Sequence, residues 1–171
     1  TMGLFVLMTY CGIPVGCLEA TVPMYDNVFV DIGDSQSIEQ SLSTFSGHIA
    51  NLSEIFKNAT RKSLVILDEL CSGTDPKEGE NLAIAILEAL RNRKIFVIAS
   101  THYSKLKAYG KQHEDILLAS VEFDMELLQP TYRYLEGFTG QSNAFDIALR
   151  YGFEKDIIDH AKQLKKEDAT R

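Results

Sequence analysis

Two short, wholly apolar runs constrain this chain more than anything else in it. Leu64-Val65-Ile66-Leu67 ends in Asp68-Glu69, and Ile95-Phe96-Val97-Ile98-Ala99 leads into Ser100-Thr101-His102-Tyr103. Four- and five-residue runs without alternation suit strands buried on both faces. Between them lies a well-marked helix. Asp75 stands at the N-cap, Pro76 at the first helical position and Glu78 where a capping box wants it, while Leu82, Ile86, Ala89 and Leu90 form one apolar face. Strand, helix and strand make a βαβ unit with a right-handed crossover in a parallel sheet covered on both faces. The fold class is therefore α/β.

The rest of the chain is arranged around that unit. Leu4, Phe5, Met8 and Tyr10 suit the end of a helix that stops at Gly12. Cys17–Val22 and Val28–Ile32 read as two short strands divided by Pro23 and Asp26-Asn27. Residues 33–42 are polar and loop-like. Phe45, Ile49, Leu52 and Phe56 then fall at helical spacing, which predicts a helix over about 44–59. Leu118, Ser120 and Glu122 alternate with Ala119, Val121 and Phe123, and Met125–Leu135 is strand-like, so the pair predicts an antiparallel hairpin at a sheet edge. Two short helices, about 141–151 and 154–166, close the chain. Nothing resembles a linker or a repeat, and residues 1–171 read as one domain.

Charge and cysteine narrow the class. The net charge of −7 argues against a nucleic-acid or membrane surface on this segment. Residues 1–56 carry six acids (Glu19, Asp26, Asp31, Asp34, Glu39, Glu54) and no Lys or Arg. An odd, sparse set of cysteines, Cys11, Cys17 and Cys71, points to reduced thiols and a cytoplasmic home. Met2–Leu18 is apolar but has no basic leader region and is interrupted by Gly12, Pro14 and Gly16, which excludes a signal peptide and a membrane span. The chain opens on Thr1 with helical spacing already under way, which reads as a segment entered in mid-helix.

The chemistry gathers at the ends of the two apolar strands. Asp68-Glu69 at the C-terminal tip of a buried parallel strand stands where open α/β sheets place their ligands. In nucleotide hydrolases the first such carboxylate holds Mg²⁺ and the second orients or deprotonates the attacking water. Two solvated acids closing a core strand would look the same. His102 ends the neighbouring strand at the same edge, where it could bond a γ-phosphate or the water, or simply be a structural histidine. Ser43-Thr44 opens its helix, as a plain N-cap or as an anion site. Asp75 caps a helix. His48, His113 and His160 show no metal spacing and are expected at the surface or in packing. The phosphate loop GxxxxGK[ST] does not occur in these residues.

Five segments in order, LSTFSGHIANLSEIF (Leu42–Phe56), LVILDEL (Leu64–Leu70), GTDPKEG (Gly73–Gly79), STHYSKLKAY (Ser100–Tyr109) and PTYRYLEGFTGQSNAFDIA (Pro130–Ala148), resemble the C-terminal ATPase domain of MutS proteins. GTDP, DSQSIEQSLSTFS and GQSNAFDIA resemble the second bacterial MutS subfamily, which has no mismatch-reading domain. The resemblance covers nearly the whole chain. It implies a P-loop NTPase fold of ABC type, mostly parallel, incomplete at its N-terminus because the Walker A loop would precede Thr1.

The resemblance also implies roles. Asp68 corresponds to the Walker B Mg²⁺ residue, Glu69 to the general base and His102 to the switch histidine. Ser43 and Thr44 match the signature that reaches the nucleotide of the partner subunit, and residues 72–76, with Asp75, match the D-loop that links the two sites. Cys71 departs from the family, which usually has Gly there. The cofactors implied are ATP and Mg²⁺. The partners implied are a second copy of the chain, DNA through domains outside this segment, and the ribosome. The functions implied are suppression of homologous recombination, branched-DNA binding or cleavage and ribosome quality control. Two other readings stay open at this point: another ABC-type ATPase, against which THY and SNAF speak, and a non-catalytic dimerisation module.

Overall fold

The computed structural model describes residues 1–33, 41–138, 140 and 143–168; the side chains of residues 41–44 lie outside that description. It divides into two compact units, Thr1–Tyr109 and Gly110–Arg171.

The first unit is built on a parallel sheet of three strands, β1 (Val28–Asp31), β2 (Leu64–Leu67) and β3 (Phe96–Ala99), in the order β1-β2-β3. Its helices are α1 (Met2–Tyr10), α2 (Ser41–Asn58) and α3 (Pro76–Asn92), and α4 (Ser104–Lys111) runs across the division between the units. The sheet is in register at its C-terminal end, where Asp31 pairs with Leu67 and Leu67 with Ala99. Only the central strand is enclosed: Leu64, Val65 and Leu67 are buried, while Val30 and Phe96 on the flanking strands remain exposed. The expectation of a sheet covered on both faces holds for β2 alone.

The core joins α2, the sheet, α3 and the segment after β3 through Leu52, Ile55, Val65, Leu67, Leu70, Ala83, Leu90, Tyr103 and Leu106. Burying one such Leu or Ile contributes about 1.5–3 kcal/mol. The α3 cap forms as its sequence predicts: the Asp75 carboxylate accepts from Lys77 N and Glu78 N, both at 3.0 Å. Helix α3 also needs a glycine on its inner face. A side-chain carbon at Gly79 would lie 2.6 Å from Tyr103 Oη and 2.7 Å from Cys71 O.

Three expectations are corrected here. Residues 17–22 form no strand; Leu18 is fully exposed, and without a neighbouring strand the β propensity of Thr21 and Val22 has nothing to pair with. Helix α2 is already under way at Ser41, so Ser43 and Thr44 sit inside its first turn rather than at an N-cap. The hairpin is not an edge of the parallel sheet. In the second unit β4 (Ala119–Asp124) and β5 (Gln129–Glu136) form a separate antiparallel pair with an irregularity between Val121 and Phe123.

The hairpin turn is held by Asp124, whose carboxylate accepts from Glu126 N at 2.7 Å and Leu127 N at 2.9 Å. Met125–Leu128 is therefore turn rather than strand. Helices α5 (Ala144–Arg150) and α6 (Lys155–Asp168) follow near the expected places, with Ile158 of α6 buried. Among the described residues no helix is long and apolar enough to cross a membrane.

Candidate nucleotide-hydrolysis site

The C-terminal tip of β2 carries the candidate chemistry. Asp68 follows the last residue of the strand, and its amide donates to Asp31 O at 2.8 Å, which continues the β1–β2 ladder by one bond. The chain then turns sharply. Glu69 (φ 48°) and Cys71 (φ 60°) both have left-handed backbones, and Gly73 follows with φ 86°. A left-handed conformation costs an L-residue about 1–2 kcal/mol, so the turn is strained and must be held by its surroundings. The adjacent residues Asp68 and Glu69 are both exposed.

Ser100, the residue after β3, does much of the holding. Its amide donates to Leu67 O at 2.9 Å and its carbonyl accepts from Leu70 N at 3.4 Å. Its hydroxyl accepts from Glu69 N at 2.9 Å and donates to Asp68 Oδ1. His102 lies three residues beyond Ala99, the register partner of Leu67, and so stands at the same end of the sheet. It is exposed, and its ring lies against Tyr103, with centroids 4.6 Å apart. Tyr103 is buried and donates its hydroxyl to Cys71 O at 2.9 Å, which ties the histidine segment to the loop that opens α3. Burial pushes the Tyr103 hydroxyl up, with the Cys71, Glu80 and Asp75 charges adding to it. Burial also pushes the Cys71 thiol up to about 11, helped by the nearby Asp31 charge.

Asp68, Glu69 and His102 thus share one sheet end. Asp75 stands at the start of α3 with one carboxylate oxygen committed to the helix cap. The side chains of Ser43 and Thr44 lie outside the described residues, and only their place in the first turn of α2 is given.

Two features were missed by sequence reasoning. Ser100 could have been found from register alone, because Leu67 opposite Ala99 makes residues 68 and 100 the next pair. The second is a polar cluster at the end of β1. Asp31 is 5% exposed, and both its carboxylate oxygens are used by α2: His48 Nδ1 at 2.9 Å and Asn51 Nδ2 at 2.8 Å. Asn51 also donates to Val30 O at 3.1 Å. His48 and Asn51 fall one turn apart on one face of α2, and no sequence signal marked that face as the one that meets Asp31.

The donor set is meagre for a resident metal. Among the described residues no three His, Cys, Asp or Glu side chains converge on a metal site. Asp68, with Oδ1 held by Ser100 and a second oxygen to spare, fits Mg²⁺, which keeps most of its waters and takes its remaining ligands from a phosphate substrate.

A parallel α/β sheet with paired carboxylates at the tip of its central strand belongs to the architectural class of the nucleotide hydrolases. Comparison with known proteins gives the particular family. The profile of MutS domain V matches residues 1–168. The chain is 51% identical over 172 residues to Endonuclease MutS2 of Clostridium tetani (strain Massachusetts / E88), covering 100% of this chain and 22% of that protein. It is 51% identical over 170 residues to Endonuclease MutS2 of Ligilactobacillus salivarius (strain UCC118), covering 99% and 22%. It is 55% identical over 164 residues to Endonuclease MutS2 of Clostridium botulinum (strain ATCC 19397 / Type A), covering 95% and 21%. The chain belongs to the MutS family through its domain V. It spans about a fifth of the length of the curated relatives it matches.

Proposed function

We propose that this domain hydrolyses ATP within a MutS2-like protein and couples the cycle to a DNA transaction. The observation that carries the reading is the exposed Asp68-Glu69 pair, set in a left-handed turn at the tip of the central strand of a MutS domain V. Mg²⁺, arriving with ATP, would offset the phosphate charge. Asp68, oriented by Ser100, would hold the metal. Glu69 accepts a proton from the attacking water as its oxygen bonds to the γ-phosphorus and the bond to the β-phosphate oxygen breaks. ADP and inorganic phosphate leave. His102 hydrogen-bonds the γ-phosphate or that water from the neighbouring strand end.

Ser43 and Thr44 reach the nucleotide of a second copy, and Asp75 lies in the loop that connects the two sites, so the working form is a homodimer in the cytoplasm. DNA is engaged through parts of the protein outside this segment. Suppression of recombination, cleavage of branched DNA and action on ribosomes are the roles proposed for the whole; the endonuclease name of the relatives supports the second of these. The match to MutS domain V favours this reading over another ABC-type ATPase.

The test is Glu69→Gln in the full-length protein. Loss of the general base should leave ATP binding intact and lower turnover by about 10²–10⁴-fold. Unchanged turnover would assign the base elsewhere. Absence of turnover in the wild-type protein would favour a non-catalytic dimerisation module.

A further inference from the structure

We propose that Ser100 is a positioning residue that holds the strained turn at Asp68-Glu69 in place and presents Asp68 to Mg²⁺. The inference rests on the hydrolytic reading above.

Ser100 bonds four consecutive residues of the β2 exit: Leu67 O, the Asp68 carboxylate, Glu69 N and Leu70 N. Two of these bonds are backbone and would survive any substitution. The other two belong to one hydroxyl, and they orient each other. A serine hydroxyl has a single proton. The Glu69 amide donates into the oxygen at 2.9 Å, so that proton is left to go to Asp68. Among the described residues the carboxylate is therefore held by one oxygen, and the other would be available to a metal-bound water. The same Glu69 amide opens the residue whose φ of 48° is strained. The hydroxyl supplies an acceptor only while that amide points toward β3, and so it rewards the strained turn.

Without the hydroxyl, the Asp68 carboxylate is free to rotate and the Glu69 amide turns to solvent. Ser100 is exposed, so its side chain contributes no core packing. A purely structural serine at a strand end would act on stability alone; a clamp on Asp68 acts on metal.

The experiment uses full-length protein with Ser100→Ala and Ser100→Thr, beside Asp68→Asn and Glu69→Gln. Binding of mant-ATP is titrated with Mg²⁺, and turnover and melting temperature are measured on the same preparations. Loss of one hydrogen bond to a charged group corresponds to about tenfold or more. Ser100→Ala should raise the Mg²⁺ midpoint for mant-ATP binding and lower kcat, each by about tenfold, beside the modest fall in melting temperature that loss of two hydrogen bonds brings. Ser100→Thr, which keeps the hydroxyl, should restore both. A wild-type Mg²⁺ midpoint in Ser100→Ala overturns the proposal, with or without a fall in melting temperature, and so does failure of Ser100→Thr to restore it. If Asp68→Asn and Glu69→Gln also leave turnover intact, the hydrolytic reading itself falls. If they abolish it while Ser100→Ala behaves as wild type, only the role of Ser100 is lost.

Discussion

At the scale of single residues, Cys71 connects backbone conformation with side-chain chemistry. Its φ of 60° is one that Gly adopts without penalty and a cysteine does not. Here the position carries a buried thiol whose pKa is pushed up to about 11. At neutral pH only about one molecule in 10⁴ carries the thiolate, which is the species that reacts. Iodoacetamide at pH 7.5 should therefore modify the exposed Cys11 and Cys17 and spare Cys71 until the protein unfolds, as peptide mass mapping would record. The linkage has a definite sign. The folded state holds this proton more tightly than the unfolded chain, so the contribution to stability is complete below the ordinary thiol range, near 9. It is lost as pH rises from there through about 11. Denaturant midpoints measured across that window should fall in the wild type and stay flatter in Cys71→Gly. The raised pKa was not legible in the sequence, because it depends on burial and on Asp31, 40 positions upstream in the chain.

At the scale of elements, legibility followed the strength of local signals. Strands β2 and β3 lie within a residue of their expected bounds, and helix α3 starts at Pro76 as expected. Continuous apolar runs and an Asp-Pro start are unambiguous, and tertiary packing agrees with them. The strand expected at residues 17–22 failed because β propensity is only fitness for a sheet that already exists nearby. The early start of α2 was hidden by Ser41-Leu42-Ser43-Thr44, which reads as a loop by composition. Asp68, Glu69 and His102 were legible because residues at strand tips can be found by counting. The Asp31–His48–Asn51 cluster was not, because it depends on which face of α2 meets β1. Asp75 tests the α3 start directly. Asp75→Ala removes the acceptor for two helix amides and should cost about 1 kcal/mol by chemical denaturation, whereas Asp75→Asn should keep the cap. If full-length Asp75→Asn also keeps turnover while the alanine variant loses it only in proportion to stability, Asp75 serves the helix and has no further part in the site.

At the scale of the whole molecule, the parallel sheet and the hairpin with its helices fall in different compact units. The sequence signals were local to each and did not reveal the division. The 171 residues contain no GxxxxGK[ST] run, and residues 1–56 hold six acids and no Lys or Arg. ATP needs amide donors and a lysine to offset its phosphates. A preparation of these residues alone is therefore expected to show no Mg²⁺-dependent ATP turnover in a phosphate-release assay. Turnover that scales with protein and is lost in Glu69→Gln would contradict this. The strained turn after β2 also bears on how such a chain can change over generations. A glycine at position 69 would relieve the left-handed penalty, so selection for heat resistance alone would tend to erase the carboxylate.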